Sequence, residues 1–142
     1  MYKKISLATV MTFALGLVST ASSETLKLSI ETSSATGSVR AAVFSSAKAF
    51  DQGEILRGVV SPAKVGMTRL EFNNLEPGTY GIAVFQDLNE NEELDTNLFG
   101  APNEPFGFSN NPVIKFSAPK FEEFKFEFDG KLMELSITLN GG

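Results

Sequence analysis

In the run TLKLSIET (25–32), Leu26, Leu28 and Ile30 alternate with Lys27, Ser29 and Glu31. That period-two pattern predicts a strand with one buried face. The cluster SSATG (33–37) supplies a turn. SVRAAVFS (38–45) is apolar on both sides, which suits a central strand. ILRGVVS (55–61) and MTRLEFN (67–73) carry weaker strand patterns across a link containing Pro and Gly, and 46–54 reads as a loop or short helical turn. In LEPGTYGIAVFQD (75–87), Pro77 presets φ at the second turn position and Gly78 supplies positive φ at the third, which predicts a type II turn. Beyond it Tyr80, Ile82 and Val84 alternate along a strand. In the last third, Phe124, Phe126 and Phe128 alternate with Glu123, Lys125 and Glu127, and Met133, Leu135, Ile137 and Leu139 alternate again. Asp129-Gly130 between them is a hairpin signal, so a hairpin with a phenylalanine-rich face is expected.

About seven short strands, regular turn signals and no amphipathic helix predict an all-β fold. The expected architecture is an antiparallel β-sandwich, immunoglobulin-like or transthyretin-like, with one long loop over roughly residues 87–112. Its two inner faces would pack about 10 Å apart. Thirteen phenylalanines supply much of the core, since tryptophan is absent.

The N-terminus follows a different pattern. Lys3 and Lys4 precede the apolar stretch ISLATVMTFALGLV (5–18), and the small residues of STASSE (19–24) follow. That order predicts a secretory signal peptide over residues 1–21, with a cut after Ala21 or Ser23, and a single domain over 22–142. The apolar stretch falls short of the roughly 20 residues a spanning helix needs. Removing residues 1–21 takes away two lysines and no carboxylate, moving the net charge from −5 to −7. Such an acidic domain is ill suited to nucleic acid, whose phosphates attract basic patches. The expected location is the periplasm or the medium, and the expected partner an envelope or extracellular protein or a polysaccharide.

The 142-residue chain has no cysteine and no histidine. Thiol nucleophiles, zinc–thiolate sites, imidazole ligands and serine–histidine triads are thereby excluded. A lipid-modified cysteine is excluded too.

The chemistry concentrates in DLNENEELDTNLFGAPNEPFGFSNN (87–111). Asp87, Asn89, Asn91 and Asp95 fall at positions 1, 3, 5 and 9 of a D-x-N-x-N-x-x-x-D run, with Glu93 at position 7. A loop wrapped around a hard cation presents alternate residues to it, and Ca²⁺ takes 6–8 oxygen ligands. Glu104 and Asn97 are placed to complete the shell, so calcium is the expected cofactor. An EF-hand carries Gly at position 6 and Glu at position 12; here these are Glu92 and Leu98. The same Asp and Asn residues also suit a self-hydrogen-bonded turn, because their side chains accept from nearby backbone N–H groups.

The second half of the loop, GAPNEPFGFSNNP (100–112), is set by Gly100, Pro102, Pro105, Gly107 and Pro112. Phe99, Phe106 and Phe108 are expected to fold beneath it as a plug on the sandwich end. The alternative is a ligand-binding surface: Phe106 or Phe108 stacks on a ligand while Ser109, Asn110 and Asn111 hydrogen-bond it.

The run D-x-N-x-N-x-x-L-D-x-N-x-x-G-x-P-x-E-x-x-G-F-S-N-N resembles the signature of a family of small secreted bacterial proteins, domain of unknown function 2141. The resemblance extends over LKLSI (26–30), VRAAVF (39–44), the L-x-P-G-x-Y turn at Leu75 to Tyr80 and the P-x-F-E run at Pro119 to Glu122. It implies an exported bacterial protein, and it carries no established activity. Members of that family usually have Gly where this chain has Glu92.

Three functions are open on the residues alone. The first is a non-catalytic exported module with a cation in the 87–104 loop. The second is a carbohydrate- or protein-binding module using 99–111. The third is a carboxylate-based hydrolase drawing on Asp87, Asp95 or Glu104, which would need two carboxyls across a cleft, one with a raised pKa. Exposed, coplanar Phe106 and Phe108 rings would mark a sugar platform.

Overall fold

The computed structural model describes Gly16 and residues 24–141. The expected signal peptide, apart from the exposed Gly16, lies outside the described residues. Leu26, Leu28 and Ile30 turn the inner face of β1 (Leu26–Thr32) into the core with no exposed surface. β1 is the middle of a three-stranded sheet, flanked by β4 (Gly66–Phe72) and β8 (Met133–Thr138). The facing sheet has five strands. In it β3 (Arg57–Pro62) pairs with β2 (Ser38–Phe44), β2 with β5 (Gly78–Asp87), and β5 with both β6 (Phe106–Phe108) and β7 (Lys125–Phe128). The protein is a two-sheet β-sandwich. All pairings are antiparallel except β1 with β8, which run parallel.

β2 is apolar on both sides because both its faces are covered. Val39, Ala41 and Val43 meet the three-stranded sheet, while Ala42 and Phe44 face a second cluster outside it. That outer cluster joins Phe44, Phe108, Phe121 and Phe124 to Phe50 of helix α1 (Ala47–Gln52). Its rings meet mostly edge to face, with centroids 4.9–6.3 Å apart, the arrangement aromatic quadrupoles favour. Ser46 caps α1 by accepting from the Ala49 N–H at 3.0 Å, and Gly53 ends it in the left-handed region at φ 68°.

Three expectations change. Phe121–Phe124 is a short helix, α2, so Phe124 packs in the outer cluster and only Phe126 and Phe128 face the main core. The Asp129-Gly130 turn does not close a hairpin: β7 joins β5 while β8 joins β1, so the chain crosses from one sheet to the other. Alternation records which face is buried, and two strands facing each other across a core share that signature with two strands side by side. Gly78 opens β5 without a positive φ, and Asn74 at φ 58° is the left-handed residue of that link, so no type II turn forms. Tyr80 instead pins the corner by donating its hydroxyl to the Glu76 carbonyl at 2.8 Å.

Candidate functional site

β6 and β7 divide one edge of β5 between them. β7 pairs with residues 78–81 and β6 with 83–85, leaving Ile82 in the gap. Ser109 fills it. Its backbone N–H donates to the Ile82 carbonyl at 2.9 Å, its Oγ accepts from the Ile82 N–H at 3.0 Å, and its hydroxyl donates to the Phe124 carbonyl. Asn110 continues the stitch through Nδ2 to the Lys125 carbonyl at 2.6 Å. Asn111 reaches the other sheet, donating to the Ser136 carbonyl at 3.1 Å and accepting from the Thr138 N–H at 2.8 Å. Both asparagines adopt positive φ, 64° and 46°, which Asn tolerates better than most residues. Ser109, Asn110 and Asn111 are therefore committed to the protein's own backbone, and Ser109 has no exposed surface. Hydrogen-bonding a ligand is not the work the geometry gives them.

Phe106 and Phe108 do not form a flat platform either. Their rings stand at 82° and Phe108 is buried. The expected plug is incomplete: Phe99 is 95% exposed.

The acidic run begins where β5 ends. Asp87 is fully buried. Its Oδ2 accepts from Arg40 Nε at 2.7 Å and from the Glu92 N–H at 2.9 Å, and its Oδ1 accepts from the Asn91 N–H at 3.1 Å. Burial pushes its pKa up. The Glu92 N–H bond, the Arg40 hydrogen bond and charge, and the Asn91 N–H bond outweigh burial and hold the carboxyl below its ordinary value. Asn89 and Asn91 accept from the N–H two residues on, at 3.2 and 3.1 Å. Their Nδ2 groups converge on one carboxylate: Asn89 donates to Asp95 Oδ2 at 2.6 Å and Asn91 to Asp95 Oδ1 at 2.8 Å. Glu104 is buried behind them and buckles the loop, Oε1 accepting from the Leu88 N–H at 2.9 Å and Oε2 from the Asp95 N–H at 3.1 Å. Glu93 is exposed, and among the described residues no hydrogen bond or ion pair fixes its side chain.

The structure thus brings together Asp87, Asn89, Asn91, Asp95 and Glu104. Among the described residues no three carboxylates gather about one point. A hard cation would need carboxamide oxygens here, whereas the structure turns the Asn89 and Asn91 nitrogens toward Asp95.

Residues 95–103 double back as a small hairpin. The Asn103 N–H bonds the Asp95 carbonyl at 2.8 Å, and Asn97 Oδ1 takes the N–H groups of Phe99 and Ala101 at 2.8 and 3.1 Å. The tip holds Leu98 and Phe99 almost wholly in solvent. Opposite lies the strap 113–118, whose Val113 and Phe116 are likewise exposed. Between tip and strap runs an apolar groove of about 570 Å³, lined by Leu94, Phe99, Phe106, Phe108, Ile114 and Phe116. The strap's part in it was not read from the sequence. The available signal was the apolar pairs Leu98-Phe99 and Val113-Ile114, and Phe116, standing in otherwise polar, Gly- and Pro-rich sequence.

A family model described as "Uncharacterized protein conserved in bacteria (DUF2141)" matches residues 30–136. No curated protein and no solved structure matches the chain.

Proposed function

The chain belongs to the bacterial DUF2141 family, and we propose that it is an exported, non-catalytic module that binds through the loop end of its sandwich. One observation carries this reading: Phe99 and Phe116, 95% and 102% exposed, line an apolar groove, and their chain neighbourhoods add the exposed Leu98 and Val113. Contiguous apolar surface on a small protein marks an interaction site, and long loops on a rigid scaffold are where binding concentrates. The groove favours a partner offering apolar groups over a polysaccharide, because the crossed rings of Phe106 and Phe108 give a sugar no flat face. Export rests on the n-region, apolar stretch and small residues of positions 3–23.

A non-catalytic role fits the chemistry of the buried carboxyls. Asp87 and Glu104 are both taken up by N–H donors, and Asp87 is held charged. A glycosidase-type acid needs a carboxyl with a raised pKa facing a cleft.

A second reading joins the first: a hard cation, calcium by ligand hardness, braces the 87–104 loop that carries one wall of the groove. The alternating oxygen-bearing residues Asp87, Asn89, Asn91 and Asp95 support it, and binding would turn the Asn89 and Asn91 carboxamides so that their oxygens, not the Nδ2 groups that now donate to Asp95, face the ion.

The binding face is tested with the neutral dye N-phenyl-1-naphthylamine. Wild-type protein is expected to bind it saturably with enhanced fluorescence. Serine at positions 98, 99 and 116 together is expected to abolish that binding with an unchanged melting temperature. Equal dye binding by both proteins would overturn the reading.

A further inference from the structure

Lys115 lines the groove between Ile114 and Phe116. No hydrogen bond or ion pair engages its side chain among the described residues, as is also true of Lys48, Lys64, Arg69 and Lys131, but of these cations Lys115 alone lines the groove. A lone cation beside an apolar channel is conspicuous in a chain of net charge −5. Resting on the groove reading above, we propose that the groove takes a single-chain amphiphile with an anionic head. Its apolar chain lies over Phe106 and Ile114 between Phe99 and Phe116, and its head, a carboxylate in the simplest case, meets Lys115.

Four features favour this occupant. A volume of about 570 Å³ falls within the range of roughly 300–1,000 Å³ typical of small-ligand sites. The lining is mainly apolar with few polar groups, among them Lys115, Ser117 and Asn140, and such a division suits a molecule with one polar end. The floor is firm, because Phe106 and Phe108 belong to β6 and Phe108 packs within the phenylalanine cluster. The strap is adjustable: among the described residues, 113–118 make no hydrogen bond to the rest of the protein, so it can move against a chain without breaking any.

The overall charge makes the head-group test sharp. An acidic protein repels a carboxylate and attracts a quaternary ammonium at long range, so a preference for the carboxylate has to come from Lys115. Protein purified after export, loaded with N-phenyl-1-naphthylamine, is titrated with dodecanoate and with dodecyltrimethylammonium, both below micelle formation. Dodecanoate is expected to displace the dye at about tenfold lower concentration, the scale of one charge-assisted contact. The Lys115→Glu variant, altered only at an exposed side chain, is expected to reverse the order, each displacement being referred to that variant's own dye affinity. Equal displacement by the two heads, tighter binding of the ammonium by wild type, or a preference unmoved by Lys115→Glu would overturn the proposal while leaving the groove as a binding face. Loss of dye binding altogether would overturn both. Sedimentation with vesicles of anionic lipid, without displacement by monomeric dodecanoate, would overturn it in favour of docking at a membrane surface.

Discussion

Arg40 Nε lies 2.7 Å from Oδ2 of the buried Asp87, tying the middle of β2 to the residue where β5 ends and the acidic loop begins. The same guanidinium reaches Glu92 Oε1 at 3.3 Å through its Nη2, and Ser38 Oγ holds Glu90 at 2.8 Å from the same strand. The first turn of the loop is therefore anchored to the sheet. Gly37 is part of that fit, since a Cβ there would come within 1.9 Å of the Asp87 carbonyl oxygen.

Asp87→Asn is expected to cost about 2–4 kcal/mol at neutral pH, because it removes the charge from a buried pair and sets an NH₂ against a donor. The pH dependence follows from the sign of the shift. The folded-state pKa of Asp87 is lowered, so its stabilisation is fully present above the unfolded value near 3.9 and is lost as pH falls toward the folded value. Chemical denaturation of wild type and variant between pH 7 and pH 2 checks this. The stability difference should hold down to about pH 4 and shrink below it; a difference constant across that acid range would show that Asp87 does not supply it.

Ser109→Ala is expected to destabilise by about 1–3 kcal/mol, since the Ile82 N–H and the Phe124 carbonyl both lose a buried partner. Displacement of a groove-bound dye should be unchanged while the protein remains folded. An altered affinity with unaltered stability would return Ser109 to the binding surface.

The inner faces of β1, β2 and β5 could be read directly, because Leu26, Leu28 and Ile30, or Ile82 and Val84, state a period that only a strand satisfies. Partners could not. Phe126 and Phe128 alternate as they would in a hairpin, yet they face Met133 and Leu135 across the core. The GFSNN run resisted reading for another reason. Its polar side chains satisfy backbone groups of β5, β7 and β8 that are distant in sequence, and no local pattern encodes a partner that only the fold supplies. The acidic loop was legible as a set of oxygens, but not in the direction each one points.

Glu92 stands at φ 69°, in the left-handed region that costs a residue with a Cβ roughly 1 kcal/mol or more. Glu92→Gly would relieve that strain and lose only an exposed contact to Arg40, worth little in solvent. The expected outcome is a protein as stable as wild type or up to about 1 kcal/mol more so, measured by urea denaturation. A loss beyond 1 kcal/mol would mean that the Arg40–Glu92 contact matters more than the backbone.

Calcium is expected to raise the melting temperature. With a dissociation constant on the order of 10⁻⁴–10⁻³ M, as in extracellular modules, about 10 mM calcium would stabilise the fold by roughly 1.4–2.7 kcal/mol. Asp95→Ala removes the carboxylate on which Asn89 and Asn91 converge, so that variant should show no calcium response while keeping the Asp87–Arg40 anchor. An ion bound there would order the 95–103 hairpin, which carries Phe99 at the groove wall. Dye affinity should therefore rise with calcium in wild type and not in Asp95→Ala. A wild-type melting temperature indifferent to 10 mM calcium would mean that the hydrogen bonds among Asp87, Asn91, Asp95 and Glu104 suffice to hold the loop, and the acidic run would then be a self-capped turn whose purpose is to present Leu98 and Phe99.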